Sequence, residues 1–263
     1  MLLLWNKIIR RLAYLFTHSE TQNREHIAKT IHLSGRNLTD SKDYHLVTEE
    51  NLEYKLRKVS SDYEVFKQVV INEEYQPLID YFHLNNIRPR TIIDCGANIG
   101  LTSIQFAKQF VECKIIAVEP DKSNTELLLH NTKEFPGINV INKAIWSTVK
   151  ILKLDRGFRD GKDWSLRTIE SSSNGYDEVE TITIDDLIDE YKIKNIDLLK
   201  IDIEGAEAEL FKNEKNYQFL EKVSCIAIEI HSECIDKKII ESILLNNSFI
   251  LFNSGELTIG IKK

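Results

Sequence analysis

Two apolar segments in the second half of the chain carry charged side chains at alternate positions. Residues 198–205 (LLKIDIEG) contain Lys200, Asp202 and Glu204, and residues 228–231 (IEIH) contain Glu229 and His231. A strand buried on both faces of a parallel sheet is normally a continuous apolar run, so this alternation is unusual. Because an unpaired buried charge is costly, these groups are expected to pair, to bind a ligand or to lie at the open carboxyl edge of a sheet.

These five residues form the candidate catalytic set, and their chemistry suits removal of a proton from a hydroxyl group. His231 or Asp202 is the expected general base, while Glu204 and Glu229 would orient the imidazole or the acceptor. Lys200 would balance the acidic charge, or would form a structural ion pair with Asp202 or Glu119. The carboxylates and the imidazole could also hold a divalent ion, but their spacing is no specific metal signature, so no metal is predicted.

A glycine-containing segment, residues 91–103 (TIIDCGANIGLTS), lies between a predicted strand and a predicted helix. Gly96 and Gly100 would let the backbone turn tightly near a ligand, and the start of the helix would offer free N–H groups. A dinucleotide-binding fingerprint requires a further glycine at position 94, where this chain has Asp94. A carboxylate there repels a pyrophosphate but suits an ammonium or sulfonium group, such as that of S-adenosylmethionine.

The next predicted strand ends at Glu119 in the sequence VEPD, 25 residues after Asp94. An acidic side chain at this point can accept both hydrogen bonds from a ribose diol. Trp146 follows the third predicted strand, where it would stack on an adenine ring or, almost as readily, pack in the core. The residues predicted to bind the cofactor are Asp94, Cys95, Gly96, Ala97, Asn98, Ile99, Gly100, Glu119, Pro120 and Trp146.

Short apolar segments bounded by turn residues predict the strands that position these groups. The predicted strands are residues 91–94, 114–119, 138–145, 196–202 and 224–231, and the predicted helices are residues 101–110, 123–135, 206–211 and 236–246. Alternation of strand and helix predicts a parallel α/β sheet with right-handed crossovers. The end of the chain, around Ser254 and Gly255, predicts a hairpin that adds an antiparallel strand at the edge of the sheet.

The residues before this main domain, which spans 91–263, show weaker patterns. Residues 1–17 place apolar side chains at helical spacing opposite Lys7, Arg10 and Arg11. This amphipathic helix is expected to dock on protein, to join a homo-oligomer or to touch an anionic membrane surface. The extension at 1–50 continues as a polar connector with a hairpin, and residues 51–90 lead through short strands and a helix into the main domain.

An insertion near residues 150–180 interrupts the strand and helix alternation. It is predicted to contain short extra strands and a loop rich in Gly, Ser and charge. The loop holds Arg159, Trp164, Ser165 and Arg167, an aromatic and polar mixture that sugars favour. We interpret it as the acceptor-binding loop.

Composition excludes several classes of protein. The 263 residues are 42% hydrophobic and 29% charged, with few glycines and prolines, which excludes collagenous and broadly disordered chains. A net charge of −7 gives no basic footprint for nucleic acid. The four cysteines form no C-x-x-C pair, and no signal-peptide core or apolar run of membrane-spanning length is present. We therefore expect a cytoplasmic protein, at most peripheral at the inner face of the membrane.

Five segments together resemble the FkbM-type family of methyltransferases. They are IIDCGANIGLTS, AVEPDKSNTELLLHN, ITIDDL at 182–187, LLKIDIEGAEAELF at 198–211 and IEIH at 228–231. The resemblance implies a class I methyltransferase fold, a Rossmann-like doubly wound α/β sheet with a terminal antiparallel strand, here preceded by an N-terminal helical and hairpin extension. It also implies S-adenosylmethionine as the methyl donor and, as acceptor, a hydroxyl group of a sugar, glycan or related metabolite.

Two other functions fit parts of the pattern. A nicotinamide-dependent oxidoreductase or epimerase is disfavoured by Asp94 and by the lack of a Y-x-x-x-K pair after the fourth strand. A non-catalytic adenosyl-binding partner protein is disfavoured because the charged groups of both strand ends are intact.

Overall fold

The computed structural model describes residues 24–155, 167–169 and 177–263. The chain divides into two compact units, with the division between Lys58 and Val59. The predicted helix at 1–17 and most of the predicted acceptor loop lie outside the described residues. Within the described residues, no helix combines the length and the apolar character needed to cross a membrane.

In its described residues, 24–58, the first unit contains one helix and a three-stranded antiparallel sheet. Helix α1 covers residues 24–33, and the strands are β1 (Asn37–Asp40), β2 (Tyr44–Glu49) and β3 (Leu52–Arg57). Arg24 Nε lies 2.5 Å from Asp40 Oδ2, which joins the helix to β1. The predicted hairpin is present, but the prediction of a plain connector missed α1. Only Ile27 and Ile31 of that helix are buried, too few apolar positions to predict it.

The second unit is an α/β domain with two sheets. Its helices are α2 (Asp62–Phe66), α3 (Gln76–Leu84), α4 (Leu101–Gln109), α5 (Lys122–Asn131), α6 (Ile184–Glu190), α7 (Glu207–Leu210) and α8 (Lys237–Asn246), with a π-helix at Lys67–Ile71 and a 3-10 helix at Glu214–Lys222. Its strands are β4 (Thr91–Cys95), β5 (Lys114–Val118), β6 (Ile138–Ile141), β7 (Ala144–Ile145), β8 (Ile151–Asp155), β9 (Arg167–Ile169), β10 (Asp177–Ile182), β11 (Leu198–Ile201), β12 (Cys225–Glu229), β13 (Phe249–Ser254) and β14 (Leu257–Lys262).

The main sheet has seven strands in the order β6, β5, β4, β11, β12, β14, β13. The first five are parallel, and their order reverses between β4 and β11. Open α/β sheets bind ligands at the carboxyl edge next to such a switch point. This topology confirms the predicted Rossmann-like fold. Of the terminal hairpin, β14 is the antiparallel strand next to β12, and β13 forms the sheet edge.

Apolar side chains bury both faces of this sheet, as a parallel sheet requires. On one face, alternate residues of β4 and β5 join a large cluster with Leu187 of α6 and Leu244 of α8. On the other face, Ala117 of β5 packs with Ala97 and with Leu128 of α5. Asp94 and Lys200 fall on this second face, because Asp94 is paired in register with Ala117 of β5 and with Lys200 of β11.

Three predicted strand boundaries were wrong. Residues 138–145 form two strands, since β6 joins the main sheet while β7 pairs with β10 in a second sheet built from the insertion. The fourth strand ends at Ile201 and the fifth at Glu229, so Asp202, Glu204 and His231 lie beyond their strands. The alternation of charge therefore continues into two turns, where the backbone no longer buries every second residue.

Candidate active site

At each of its two glycines, the turn after β4 packs tightly against a neighbouring element. Gly96 has φ +78°, and a Cβ placed on it would lie 1.7 Å from the backbone oxygen of Asp202. Gly100 has φ +90°, and its Cβ would lie 2.5 Å from Leu128 Cδ1 of α5. Both glycines therefore allow contacts with neighbouring elements, and Gly96 also lines the cavity described below, so its approach to a ligand stays a prediction.

A buried ion pair supports this turn from below. Lys200 Nζ lies 3.1 Å from Asp94 Oδ1, and Ser103 Oγ donates to Asp94 Oδ2 at 2.7 Å. The same ammonium donates to the backbone oxygens of Gly96 at 2.7 Å and Cys95 at 3.4 Å. Burial opposes the charge of Lys200, but nearby Asp94, Tyr75 and Asp202 raise its pKa well above the usual value. Asp94 thus pairs with Lys200, a partner that the sequence did not indicate.

Glu119 follows β5 and is buried beside the turn after β4. Its Oε2 accepts from the backbone N–H of Asn98 at 2.9 Å, and its Oε1 accepts from the N–H of Asp121 at 3.0 Å. Asn98 adopts φ +49°, a conformation that asparagine tolerates, and this brings its N–H to the carboxylate. Burial raises the pKa of Glu119 to about 7 although three hydrogen bonds lower it.

Acidic side chains and one imidazole meet where β11 and β12 end. His231 Nε2 lies 3.3 Å from Glu204 Oε2 and 3.5 Å from Glu229 Oε1. Glu204 reaches this position from a turn in which its φ is +52°. Asp202 is about one third exposed and its Oδ2 lies 3.8 Å from Lys200 Nζ. The structure therefore brings together the five residues of the candidate catalytic set.

Glu207, which the sequence did not single out, completes this group. It lies at the start of α7, fully buried, and its Oε1 is 3.1 Å from His231 Nδ1. The same oxygen accepts from the backbone N–H of Ile203 at 3.0 Å. Glu207 and Glu209 alternate with alanine in the sequence, and no pattern there indicates which of the two points inward.

The electrostatics of the cluster are dominated by burial and mutual proximity. Burial lowers the pKa of His231, but the hydrogen bond and charge of Glu207, with Glu204 and Asp202, raise it to about 9. Burial and the charge of Asp202 raise the pKa of Glu229 to about 8, against the lowering effect of His231. Glu229 and His231 therefore keep their protons to a higher pH than these side chains usually do.

A cavity of about 410 Å³ joins the Glu119 region to the acid cluster. Of the predicted cofactor residues, Gly96, Ala97, Asn98, Ile99, Glu119 and Pro120 line it. Of the predicted catalytic residues, Lys200, Asp202, Glu204 and Glu229 line it. Asp94, Cys95, Gly100 and His231 are buried outside the lining, where they support the residues that form it.

Trp146 does not belong to the lining of this cavity, although Ala144 of the same cluster does. It is buried in the cluster of the second sheet with Leu152, Leu154 and Val179, and Lys150 Nζ lies 5.2 Å from the centre of its ring. This placement fits the alternative interpretation, a tryptophan packed in a core, and stacking on an adenine ring stays a prediction.

Part of the cavity lining comes from residues outside 91–231, and these residues were not predicted from the sequence. Gln68, Glu74 and Tyr75 contribute from the lead-in before α3, and Glu256 contributes from the terminal hairpin. Gln68 Nε2 donates to Glu74 Oε1 at 2.8 Å. These residues carry no local motif, so only the tertiary fold identifies them.

Three side chains at the acidic end could hold a metal ion, although the sequence predicted none. Asp202, Glu229 and His231 each offer one ligand atom, and these atoms lie within 4.8 Å of one another. At the other end, Asn98 Oδ1 is buried without a hydrogen-bond partner among the described residues, which leaves an acceptor for a ligand.

Comparisons with known proteins show which family the chain resembles. The family profile described as "Methyltransferase FkbM domain" matches residues 94–250. Methyltransferase sdnD of Sordaria araneosa is 26% identical over 166 residues, which cover 50% of this chain and 64% of that protein. Hexuronic acid methyltransferase AglP of Haloferax volcanii is 25% identical over 151 residues, which cover 57% of this chain and 59% of that protein.

The similarity to these proteins covers only part of their length or is weak. The chain spans less than two thirds of the length of both curated relatives. Among solved structures, TYW2 of M. jannaschii in complex with AdoMet is 14% identical, covers 86% of this chain and 88% of that one, and has a TM-score of 0.39. Because the profile matches more than half of the residues, from Asp94 in β4 to Ile250 in β13, the chain belongs to the FkbM methyltransferase family.

Proposed function

We propose that this protein transfers a methyl group from S-adenosylmethionine to a hydroxyl group of a sugar or related metabolite. The observation that carries the proposal is a continuous cavity with Glu119 and Asn98 at one end and Asp202 and Glu229 at the other. The volume of about 410 Å³ lies within the usual range for small-ligand sites, roughly 300 to 1,000 Å³. Membership of the family supports the reaction type, and the name of the relative AglP supports a sugar acceptor.

The residues at the β5 end fit the adenosine part of the donor. Glu119 Oε2 accepts one hydrogen bond and can accept another from a ribose hydroxyl, and the unpartnered Asn98 Oδ1 can accept a second. When bound, S-adenosylmethionine supplies an electrophilic methyl group on a positively charged sulfur. The acidic lining favours such a cation, since Asp202 and Glu256 belong to it.

The residues at the acidic end would position the acceptor and draw away its proton. Asp202 and Glu229 line the cavity, so their carboxylates can accept a hydrogen bond from the acceptor hydroxyl. His231 is 1% exposed and lies behind them, so we assign it to holding the carboxylates instead of acting as the base. This assignment replaces the expectation that His231 itself takes the proton.

Calorimetry and methyl transfer test the proposal. S-adenosylhomocysteine should bind the purified protein while NAD⁺ should not. Glu119→Gln should weaken the binding by about 1 to 3 kcal/mol, because one charged acceptor is lost. Glu126→Gln is the matched control, an exposed acid on α5 for which no change is expected. Tighter binding of NAD⁺, or unchanged affinity in the Glu119 variant, would refute the donor site.

Radiolabelled S-adenosylmethionine tests the acceptor class. Label should appear in a methyl ether when neutral sugars or glycans are supplied. Transfer only to nitrogen or carbon acceptors would refute the assignment to hydroxyl groups.

A further inference from the structure

We propose that Asp202, Glu229 and His231 bind one divalent metal ion, with Glu207 holding the imidazole in place for it. The effect of the ion on the acceptor rests on the proposed function, but the binding of the ion does not. Asp202 follows β11 and Glu229 ends β12, so neighbouring parallel strands deliver their ligands to one edge of the sheet.

The distances between ligand atoms suit a small ion. The three atoms lie within 4.8 Å of one another, and His231 Nε2 is 3.5 Å from Glu229 Oε1. Ligands at about 2.1 Å from a six-coordinate ion are roughly 3 to 4.2 Å apart. Small rotations of side chains are therefore enough to close the site.

The imidazole gives a second, independent observation. Its Nδ1 is held by Glu207 Oε1 at 3.1 Å, the arrangement in which a carboxylate fixes the tautomer of a metal-binding histidine. Among the described residues, its Nε2 is buried without a hydrogen-bond partner and points at carboxylate oxygens. A lone pair facing those oxygens is repelled by them, so this position favours a cation, for which a proton and a metal ion compete.

The charge of the cluster favours an ion with two charges. Four carboxylates lie close to one imidazole, those of Asp202, Glu204, Glu207 and Glu229, and a proton on that ring would offset only one of them. Two carboxylate oxygens with one nitrogen suit Mn²⁺, which accepts imidazole more readily than Mg²⁺ does. Three protein ligands leave open positions on the side of the cavity.

The ion would act on the acceptor hydroxyl at these open positions. An oxygen bound there becomes more acidic, so its O–H bond breaks and the proton passes to water. The new O–C bond forms as the C–S bond of the donor breaks, which leaves a neutral thioether. Asp202 and Glu229 would then serve as ligands and would no longer need to accept the proton directly.

Electron paramagnetic resonance with Mn²⁺ tests the site in the full-length protein without donor or acceptor. The signal of free Mn²⁺ should fall until one ion is bound per chain, and spin-echo measurements should detect one directly bound imidazole nitrogen. Asp202→Asn and Glu229→Gln should each weaken binding at least about 10-fold. Glu207→Gln, which touches no ion, should weaken it by about 10- to 100-fold. Glu126→Gln should leave it unchanged.

The outcomes separate this inference from the proposed function. Failure of the wild type to bind Mn²⁺ at millimolar concentration, or bound Mn²⁺ without nitrogen coupling, would overturn the metal site while leaving the binding of S-adenosylhomocysteine intact. Mn²⁺ binding without any binding of S-adenosylhomocysteine would overturn the donor proposal alone. Calorimetry with S-adenosylhomocysteine also shows that each variant is folded, and the spin-echo result on the wild type does not depend on any variant.

Discussion

At the scale of single residues, the functional groups are held by pairs of buried charges and backbone contacts. Lys200 is the clearest case, since its ammonium joins Asp94 to the backbone oxygens of Cys95 and Gly96. Removing one partner of such a pair leaves a buried charge alone, which usually costs about 3 to 5 kcal/mol. We infer that Lys200 fixes the turn after β4 and acts on catalysis only through that turn.

The role of Glu119 in ligand binding can be tested through the pH dependence of the affinity. Its pKa is raised from 4.5 to about 7, chiefly by burial and also by the charge of Asp121. Only the ionised carboxylate accepts every hydrogen bond offered to it. Affinity for S-adenosylhomocysteine should therefore rise by up to about 10-fold per pH unit as the pH approaches 7, and should level off above it. Calorimetry between pH 5.5 and 8.5 measures the slope.

The Glu119→Gln variant provides the control, since it cannot ionise and its slope should vanish. A wild-type affinity that is constant across this range would contradict the role of Glu119. Protein stability should change with pH in the opposite direction to ligand affinity. Between pH 4.5 and about 7 the folded protein holds this proton and the unfolded chain does not, so rising pH removes stability contributed by Glu119.

At the scale of elements, the turn after β4 and the turn after β11 fit together as one piece. The carbonyl of Asp202 occupies the space where a side chain at position 96 would lie, and the N–H of Asp202 donates to Cys95 O at 3.1 Å. The Glu119 end and the acidic end of the cavity are therefore positioned by direct backbone contact at the switch point of the sheet.

This contact predicts a large stability effect at Gly96. Gly96→Ala should lower the free energy of unfolding by about 2 to 5 kcal/mol, since a strained φ and a clash with backbone both contribute. Gly255→Ala is the matched control, because φ is +60° there and nothing lies within 4 Å. It should cost only about 1 to 2 kcal/mol. Urea unfolding of both variants is the measurement, and equal losses would show that the clash is relieved by local movement.

Much of the sheet could be predicted from the sequence because each parallel strand is a distinct apolar run between turn residues. Asp94, Glu119 and Asp202 were found for the same reason, since strand ends are marked in the sequence. Glu207 and Glu256 were not, because the sequence does not show whether an acid on a short helix or in a hairpin faces the core, a cavity or solvent; Glu207 is buried and Glu256 is exposed. The sequence also did not show why position 96 needs a glycine, since the backbone contact there comes from Asp202, 106 positions later.

At the scale of the whole molecule, the chain has a net negative charge, and acidic side chains are frequent in the cavity lining. The chain carries a net charge of −7. Among the described residues, the lining contains six carboxylates and one ammonium, that of Lys200, which Asp94 already pairs. The carboxylates belong to Glu74, Glu119, Asp202, Glu204, Glu229 and Glu256. Such a cavity should favour positively charged ligands over neutral ligands of the same shape.

The choice between donor and product tests this field directly. S-adenosylmethionine and sinefungin carry a positive charge where S-adenosylhomocysteine has a neutral sulfur. One carboxylate about 8 Å away, at an effective dielectric constant of about 40, is worth about 1 kcal/mol. With EDTA present, both cations should bind about 5- to 50-fold more tightly than S-adenosylhomocysteine in low salt, and the ratio should shrink in 0.5 M NaCl because ions screen the field. Sinefungin separates charge from the extra methyl group, since it carries an amine there. Equal affinities for all three ligands, unaffected by salt, would mean that the carboxylates are neutralised in the bound state and that the acidic lining does not select the donor.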